Sequence, residues 1–385
     1  MSLTGHSGQA PLCPSTRAAT LVDELAAPFG LDSGLLSERA ALTGWQRNGR
    51  VTLGGAGHLL RTRDGWVALS LPRPEDVELV PALLGVEGPI ADEMWSVVES
   101  EVIPSSAAAV VAQARLLGLA AAVVGGTQPP PVPWWWPTAQ GTERDLDGTT
   151  VIDLSGLWAG PLCGALLLRT GARVIKVESS SRPDGARRGN TDFYDLLNAG
   201  KESVALDLTS TAGRDDLGRL VDRADVVITA ARSRAIAGLG LDPATMTTGG
   251  QAWVAITARG LHDDSVGFGD DVAAGAGLVA WDEAREPCFA GDAIADPLCG
   301  VVSAAAVLQG ATGVVDIAMQ QVVSLVVAAP GGTASAAQRC ATGVASVEQW
   351  CLGDEPVAQP RIRRPAGRAA TLGADTTDVL AGVAR

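Results

Sequence analysis

The stretch "VIDLSGLWAGPLCGALLLRTGARVIKVES", residues 151–179, places an apolar helical segment between two β-branched runs. The runs VIDLS and RVIKVES have the length and composition of buried strands. The segment between them begins at Gly160-Pro161 and ends at Gly171, residues that suit the two ends of a helix. A strand, a helix and a second strand in this order predict a βαβ unit with parallel strands.

The same alternation continues beyond residue 179. The pattern predicts a helix over 209–224, with a Ser/Thr start, and further strands over 225–230 and 250–260. We therefore predict an α/β protein whose large domain is a Rossmann-like, doubly wound parallel sheet. Ligands of such sheets bind outside the carboxyl ends of the strands. The first loop, GLWAGP, leads into a helix N-terminus but is neither a GxGxxG fingerprint nor a Walker A loop, so a dinucleotide cofactor has weak support.

Composition and charge narrow the possible partners. The chain has 385 residues, of which 46% are hydrophobic, and a net charge of -14. Such an acidic protein repels phosphate backbones, so we expect no nucleic-acid partner. The six cysteines show no CxxC pair and no metal-binding spacing with histidine, so we expect reduced thiols, no metal and a cytoplasmic protein. The N-terminus lacks the pattern of a signal peptide, and the apolar runs are too interrupted for a membrane span.

A proline-rich segment over 125–148 divides the chain. Its proline density predicts an extended linker. Trp134 to Trp136 within it either form a ligand platform or, as we favour, pin the linker onto a domain surface. Before it, residues 1–124 are predicted to form a smaller α+β domain, with a strand over 65–72 and helices over 74–85 and 105–120. After it, residues 149–385 form the predicted sheet domain and its C-terminal tail.

Basic residues are sparse, so their grouping is informative. Arg182, Arg187, Arg188 and Lys201 follow the second predicted strand, and Arg232 and Arg234 follow the third. All of them fall at the ligand end of the predicted sheet, where a phosphorylated carrier such as coenzyme A would need cations. The alternative is ordinary solvated loop charge.

The order of these motifs resembles the class III CoA-transferase family, which includes formyl-CoA and carnitine CoA-transferases and α-methylacyl-CoA racemase. The resemblance begins with residues 151–179 and continues through PDGAR, LNAGKESVALDL and RADVVITAARSRAIAGLGLD. It extends through GFGDDVAAGAGL, GDAIADPLCGVVSAAAVLQ and the tail PAGRAATLGADTTDVLAG. It implies transfer of CoA between an acyl-CoA and a carboxylic acid in a homodimer, with CoA as a substrate and no other cofactor.

The resemblance also implies site residues. Asp296 falls on the family's nucleophile, Asp270 on the second acid of formyl-CoA transferases, and Asp271 on the acid beside it. The resemblance and the predicted ligand edge together assign CoA binding to Trp158, Ala159, Arg182, Asp184, Arg187, Arg188, Asn198, Lys201, Arg232 and Asp271. The family mechanism would run from Asp296 through a mixed anhydride and an aspartyl-CoA thioester.

Other interpretations stay open. Asp296 followed by Pro297 also suits an N-cap and N1 pair for the helix after it. An acyl-CoA racemase would use Asp296 and a partner as an acid–base pair, but Asp270 stands where racemases have a histidine. A member without catalytic activity would bind CoA or a partner subunit.

Three departures from the family pattern bear on the site. The segment resembling the small domain precedes the large domain, as in a circular permutation, and is shortened. The run before it, LGGAGHLL with Gly54, Gly55 and Gly57, is either a mobile active-site loop or a simple turn, which we favour. Arg232 alone remains of the family's Asn-Phe-Arg-Pro-Gly. Trp158 replaces a polar glutamine, which argues against formate or oxalate as the substrate, although core packing explains an indole equally well.

Overall fold

The structure, a computed structural model, describes residues 2–7, 9–13, 16–88, 93–138, 140–247, 249–328, 335–336, 338–340, 349–352 and 355–383. The strands are β1 (Leu12–Cys13), β2 (Gly57–Arg61), β3 (Trp66–Ser70), β4 (Ala120–Val123), β5 (Thr150–Asp153), β6 (Arg173–Ser179), β7 (Glu202–Leu206), β8 (Val226–Thr229), β9 (Ala252–Thr257), β10 (Val279–Trp281), β11 (Pro287–Phe289), β12 (Gly313–Ala318), β13 (Ser335–Ala336), β14 (Gln338–Cys340), β15 (Gln349–Leu352) and β16 (Glu355–Pro356). The α-helices are α1 (Thr16–Ala26), α2 (Glu38–Thr43), α3 (Pro74–Glu78), α4 (Val80–Leu84), α5 (Met94–Val102), α6 (Ala107–Leu116), α7 (Ala159–Arg169), α8 (Thr191–Asn198), α9 (Thr211–Asp222), α10 (Ser233–Gly238), α11 (Pro243–Met246), α12 (Gly269–Gly275), α13 (Ala295–Leu308), α14 (Met319–Ala328) and α15 (Thr376–Val383).

The main sheet is parallel and has six strands in the order β12-β9-β8-β5-β6-β7. Successive residues of the central strands enter opposite cores, so that Val151 belongs to the core on one face and Ile152 to the core on the other. Helices α7 and α13 cover the first face, and α9 and α15 cover the second. Burial of both faces explains why apolar residues follow one another in a central strand such as β8, whose sequence is VVIT. The predicted doubly wound α/β class is confirmed.

Two strands of this sheet do not appear among the four predicted ones. Both β7, with the sequence ESVAL, and β12, with the sequence GVVDIA, lie at the edges of the sheet. Glu202 begins β7 and Asp316 lies within β12, and both strands contain partly exposed positions. Edge strands carry weaker hydrophobic patterns than central ones because one side meets solvent.

A second, antiparallel sheet has the order β2-β3-β4. One face of it packs against α4, α5 and α6 through Leu69 and Val110. Its other face packs against α12 through Ala68 and Ala274. The helix predicted over 105–120 is α6, which ends at Leu116, and Ala120 at the end of that prediction instead begins β4. The helix predicted over 74–85 is two short helices that meet before Pro81.

The N-terminal helices pack on the main sheet's core. Leu21 and Leu25 of α1 lie in the same cluster as Leu298 and Val302 of α13. The sequence predicts that these helices belong to a smaller domain at 1–124. In the structure they instead pack against α13 of the main sheet's core. The division itself stays a prediction.

The linker is extended, and its tryptophans differ. Trp135 is buried in the core of the main sheet, Trp136 packs against that core, and Trp134 is exposed. The arrangement fits a linker held to the domain surface by aromatic burial. The side chains of Cys163, Cys288 and Cys299 are free and buried. The side chains of Cys13, Cys340 and Cys351 lie outside the described residues. Among the described residues we find no helix with the length and apolarity that a bilayer crossing requires.

Candidate active site

Asp296 lies in the first turn of α13, at the carboxyl edge of the main sheet. The backbone N–H of Gly269 donates to its carboxylate. Gly269 has no room for a side chain, because a Cβ there would lie 2.4 Å from Oδ2 of Asp296. The N-cap position of α13 is Ile294, which has no side-chain cap. The expected N-cap role of Asp296 is therefore wrong, because its carboxylate bonds across to α12 instead of closing its own helix.

Asp270, in the first turn of α12, holds the chain segment that leads to Asp296. Its Oδ1 accepts the N–H of Ala293 at 2.9 Å, and the N–H of Asp296 donates to the carbonyl of Ala293 at 2.9 Å. Ala293 has φ of 42°, a left-handed conformation that side chains other than glycine rarely adopt. A strained backbone conformation persists only where surrounding contacts fix it, and such conformations are concentrated at active sites.

Arg39 and Asp292 complete the site, and the sequence alone did not single them out. The guanidinium of Arg39 donates from Nε and Nη2 to the two carboxylate oxygens of Asp292, at 3.0 and 2.5 Å. It also lies 4.7 Å from the ring centroid of Trp158 and 5.4 Å from that of Trp45. Asp292 stands in the GDAIADPLCG motif, but 253 residues separate it from Arg39, so no local pattern signals the pair.

Two carboxyl groups of this cluster have pKa values close to neutral pH. Burial raises the pKa of Asp296 to about 7, while Arg39 opposes the rise and Asp292 adds to it. Burial, reinforced by Asp292 and opposed by Arg39, also raises the pKa of Asp270 to about 7. Two neighbouring acids of this kind titrate as a coupled pair. The pair can supply a desolvated carboxylate, or an acid and a base together.

Asp271 and Trp158 hold these elements in place. Asp271 is fully buried, accepts the N–H of Phe268 at 2.7 Å, and lies 3.6 Å from Arg259. Burial raises its pKa to about 6, against the charge of Arg259. Trp158 is 2% exposed and meets Phe193 edge to face at 4.9 Å. Ala159, the first residue of α7, is also buried, and α7 begins without a side-chain cap.

Several residues predicted to bind CoA form internal ion pairs. Asp184 pairs with Lys176 at 3.0 Å and accepts the N–H of Leu157 at 3.0 Å. Arg187 forms a two-pronged contact with Glu178, with its closest N–O distance at 2.5 Å. These partners occupy the polar atoms that would otherwise meet a ligand.

Lys201 and Asn198 are also engaged inside the protein. Nζ of Lys201 lies 2.8 Å from Oδ2 of Asp153, 2.8 Å from the carbonyl of Pro161 and 3.1 Å from Oδ1 of Asn198. Although burial opposes ionisation, Lys201 and Lys176 lower the pKa of Asp153 to about 2. The group lies under α7 and fixes how α7 meets β5 and α8.

The remaining predicted cations are free to meet an anion. Arg182 and Arg188 are exposed and Arg232 is partly exposed, and no carboxylate among the described residues lies within 4.0 Å of them. Burial lowers the pKa of Arg232, and the charge of Arg234 lowers it further. Asp264 opposes this shift, while Arg73 and Arg182 add to it. Cations that raise one another's energy in this way favour a shared anionic ligand.

The glycine run before β2 is a turn next to this site. The N–H of Gly55 donates to the carbonyl of Thr52, and the N–H of Gly57 donates to the Thr52 hydroxyl at 2.9 Å. A Cβ on Gly54 would lie 3.2 Å from the indole of Trp45, the ring that contacts Arg39. The simple turn is therefore the conformation present, and it packs against the residues that support Arg39.

Known proteins resemble the chain over slightly less than half of its length. A probable fatty acyl-CoA transferase of Mycobacterium tuberculosis is 34% identical over 205 residues, which cover 46% of this chain and 51% of the relative. A succinyl-CoA–D-citramalate CoA-transferase of Chloroflexus aurantiacus is 29% identical over 181 residues, covering 43% of this chain and 45% of the relative. A solved structure of a hypothetical protein from Mycobacterium tuberculosis is 33% identical, covers 49% of this chain and 58% of that one, and has a TM-score of 0.45.

The chain spans about half the length of the curated relatives it matches. The sequence profile described as CoA-transferase family III matches residues 146–344. This match covers more than half of the 385 residues, and it contains β5 to β12 together with Asp270, Asp292 and Asp296. The chain therefore belongs to CoA-transferase family III.

Proposed function

We propose that this protein transfers CoA from an acyl-CoA thioester to a carboxylic acid, with Asp296 as the nucleophile. The observation that carries the proposal is the desolvated carboxyl of Asp296, held by the Gly269 N–H at the carboxyl edge of a family III sheet. Free arginines at the same edge support it, because CoA brings phosphates that need cations.

The chemistry follows from the desolvated carboxylate. Asp296 attacks the thioester carbonyl, the carbon–sulfur bond breaks, and an acyl-aspartyl anhydride and CoA thiolate result. The thiolate attacks the Asp296 carbonyl and releases the first acid, which leaves an aspartyl-CoA thioester. An incoming carboxylate then attacks this thioester, its carbon–sulfur bond breaks, and a second acyl-aspartyl anhydride and CoA thiolate result. The thiolate attacks the new acyl carbonyl, which gives the new acyl-CoA and frees the carboxylate of Asp296. Each tetrahedral intermediate needs N–H donors, for which the uncapped first turn of α7 is a candidate.

Arg39 is a positioning residue in this proposal. It neutralises Asp292 and opposes the rise in the pKa of both Asp270 and Asp296. Without it, three neighbouring acids would favour protonation, and a protonated Asp296 does not attack a thioester. The rings of Trp158 and Trp45 hold the guanidinium in place.

Activity should depend on pH through the acid pair. Burial raises the pKa of Asp296 to about 7, and the mechanism needs its ionised form. We therefore expect kcat/KM to rise with pH and to level off above neutrality, measured from about pH 5.5 to 8.5. A profile that is flat across this range would contradict a nucleophile with a raised pKa.

Arg232 should contribute to the binding of CoA phosphates. We expect Arg232→Ala to raise the KM for an acyl-CoA by about tenfold with little change in kcat, since a charge-assisted contact is lost at a distance from the reacting carbonyl. Arg173→Ala is the matched control, because Arg173 begins β6 at the opposite edge of the sheet and pairs with Glu202 at 2.7 Å. Equal KM values for the two variants would contradict a contact between Arg232 and the CoA phosphates.

An acyl-CoA racemase is the second candidate. The observation that favours it is that Asp270 and Asp296 both have a pKa of about 7, as an acid and a base on either side of an α-carbon would need. Its reaction exchanges the α-proton and forms no acyl-aspartyl bond.

One assay separates these functions. The full chain is incubated in deuterated water with a branched acyl-CoA, alone and with a panel of carboxylic acids, and the products are followed by mass spectrometry. New acyl-CoA species that require the added acid support the transferase. Deuterium at the α-carbon without an added acid supports the racemase. Bound CoA with neither product points to a binding protein. Light scattering tests the homodimer, which belongs to the same proposal.

A further inference from the structure

Three potential metal ligands from distant parts of the chain converge away from the acid pair. They are His6 in the N-terminal segment, Asp282 in the turn between β10 and β11, and Cys288 on β11. Nε2 of His6 lies 3.0 Å from Oδ2 of Asp282 and 3.6 Å from Sγ of Cys288. All three ligand atoms lie within 4.8 Å of one another.

The convergence does not resemble a catalytic Cys-His-Asp arrangement. In such a triad the imidazole contacts the thiol through one nitrogen and the carboxylate through the other. Here both partners contact Nε2. One nitrogen, one oxygen and one sulfur atom that face one another at these distances form the ligand arrangement of a metal site.

Asp282 and His6 are each oriented by further contacts, and Cys288 is held on β11, which pairs with β10. Oδ1 of Asp282 accepts the N–H of Glu286 at 2.8 Å, which leaves Oδ2 for the shared point. Arg47 donates to the carbonyl of His6 at 2.8 Å and to that of Ser2 at 3.1 Å, so the loop carrying His6 is anchored. Gly49 makes room for the imidazole, since a Cβ there would lie 2.4 Å from Nδ1.

We propose that His6, Asp282 and Cys288 form a Zn²⁺ site with one open coordination position. Ligand atoms of tetrahedral Zn²⁺ lie about 3.2–3.6 Å apart, given bonds of about 2.0–2.3 Å. Nε2 of His6 lies close to this range from both partners, at 3.0 Å from Oδ2 of Asp282 and 3.6 Å from Sγ of Cys288. A thiolate together with an imidazole favours Zn²⁺ over Mg²⁺ or Ca²⁺. His6 is about one-third exposed, at 31%, so water reaches the fourth position.

The metal site would join the N-terminal segment to β11, the strand that precedes Asp292 and Asp296 in the chain. Two residues after Phe289 of β11, the N–H of Gly291 donates to the Thr4 hydroxyl at 3.1 Å, and Asp292 follows. A metal at Cys288 would therefore brace the backbone just before Asp292 and Ala293. This role is structural, and it stands whether or not the protein transfers CoA.

Binding of Co²⁺ and Zn²⁺ to the untagged full chain tests the proposal. The chain is treated with a chelator, kept reduced without thiols, and titrated with Co²⁺, whose bond to a thiolate gives a charge-transfer absorption. We expect one Co²⁺ per chain, displacement by Zn²⁺, and a Tm raised by Zn²⁺. Cys288→Ser and His6→Gln should each weaken binding by at least about 100-fold.

Cys163→Ala is the matched control, because Cys163 is a buried thiol on α7 beside Asp153 and should leave metal binding unchanged. Circular dichroism of each variant shows whether it has folded. Absence of saturable binding in the folded chain, or binding that Cys288→Ser leaves unchanged, overturns the proposal. In that case the three residues form only a hydrogen-bonded cluster.

Discussion

Replacement of Asp296 by Asn is expected to lower CoA transfer by at least about 1,000-fold while the chain still binds acyl-CoA. Asn is nearly isosteric and its oxygen can still accept the Gly269 N–H. It cannot form an anhydride with the acyl group, so the loss falls on kcat. The measurement is steady-state CoA transfer together with acyl-CoA binding by calorimetry.

The same substitution should stabilise the protein, with a defined dependence on pH. Burial raises the pKa of Asp296 from 3.8 to about 7. The folded chain therefore keeps a proton that the unfolded chain releases, and the free energy of unfolding falls as pH rises from about 4 to about 7. Asn has no such dependence. The Tm of Asp296→Asn should exceed that of the native chain by a margin that grows over this interval and is constant above it.

Asp316→Asn is the matched control, since Asp316 of β12 is partly buried and has a pKa raised by burial but lies outside the acid cluster. We expect this variant to keep its activity. Substantial activity in Asp296→Asn, or equal losses in both variants, would contradict a nucleophilic Asp296.

Replacement of Lys201 by Met is expected to destabilise the fold by about 3–5 kcal/mol, because it removes the only cation that donates directly to the buried Asp153 among the described residues and leaves it the weaker influence of Lys176. The ion pair is 2.8 Å long, and the side chains are 1% and 0% exposed. Met keeps the length of the stem, so packing changes little. Chemical denaturation, or a Tm lowered by roughly 5 °C, measures the loss.

Two comparisons separate this structural role from a role in binding CoA. Arg173→Met removes a partly exposed ion pair and should cost less than about 1 kcal/mol. A second substitution, Asp153→Leu in the Lys201→Met chain, should recover part of the stability, since no buried charge is then unpaired. A stable Lys201→Met protein with a raised KM for acyl-CoA would instead favour the predicted contact with CoA.

The central strands of the main sheet and their helices could be predicted from the sequence, but the edge strands β4, β7 and β12 could not. Strand β6 occupies the predicted residues, Arg173–Ser179, because its β-branched residues Val174 and Ile175 enter the cores on the two faces of the sheet. Its charged residues, Lys176 and Glu178, are buried in ion pairs. Strand β4 is four residues long, AAAV, and follows an alanine-rich helix. Alanine favours helix locally, so only pairing with β3 makes this segment a strand.

The candidate site shows the same division. The motif around Asp296 and the acids at 270 and 271 could be located from the sequence, because their order along the chain resembles a family. Arg39 could not, because its role arises from contact with Asp292 and two indoles brought together by folding. The basic motifs were ambiguous, because a sequence does not show whether a cation meets a ligand or a carboxylate of the protein itself. Arg187 and Lys201 were predicted to contact CoA, but in the structure Glu178 and Asp153 neutralise them.

A covalent adduct on Asp296 tests the central claim most directly. The full chain is incubated with an acyl-CoA, its intact mass is recorded with and without hydroxylamine, and the modified peptide is sequenced. The proposal predicts an added mass of CoA or acyl group on Asp296, removed by hydroxylamine and absent from Asp296→Asn. Turnover that proceeds with no adduct on trapping, or an adduct confined to another residue, would contradict it.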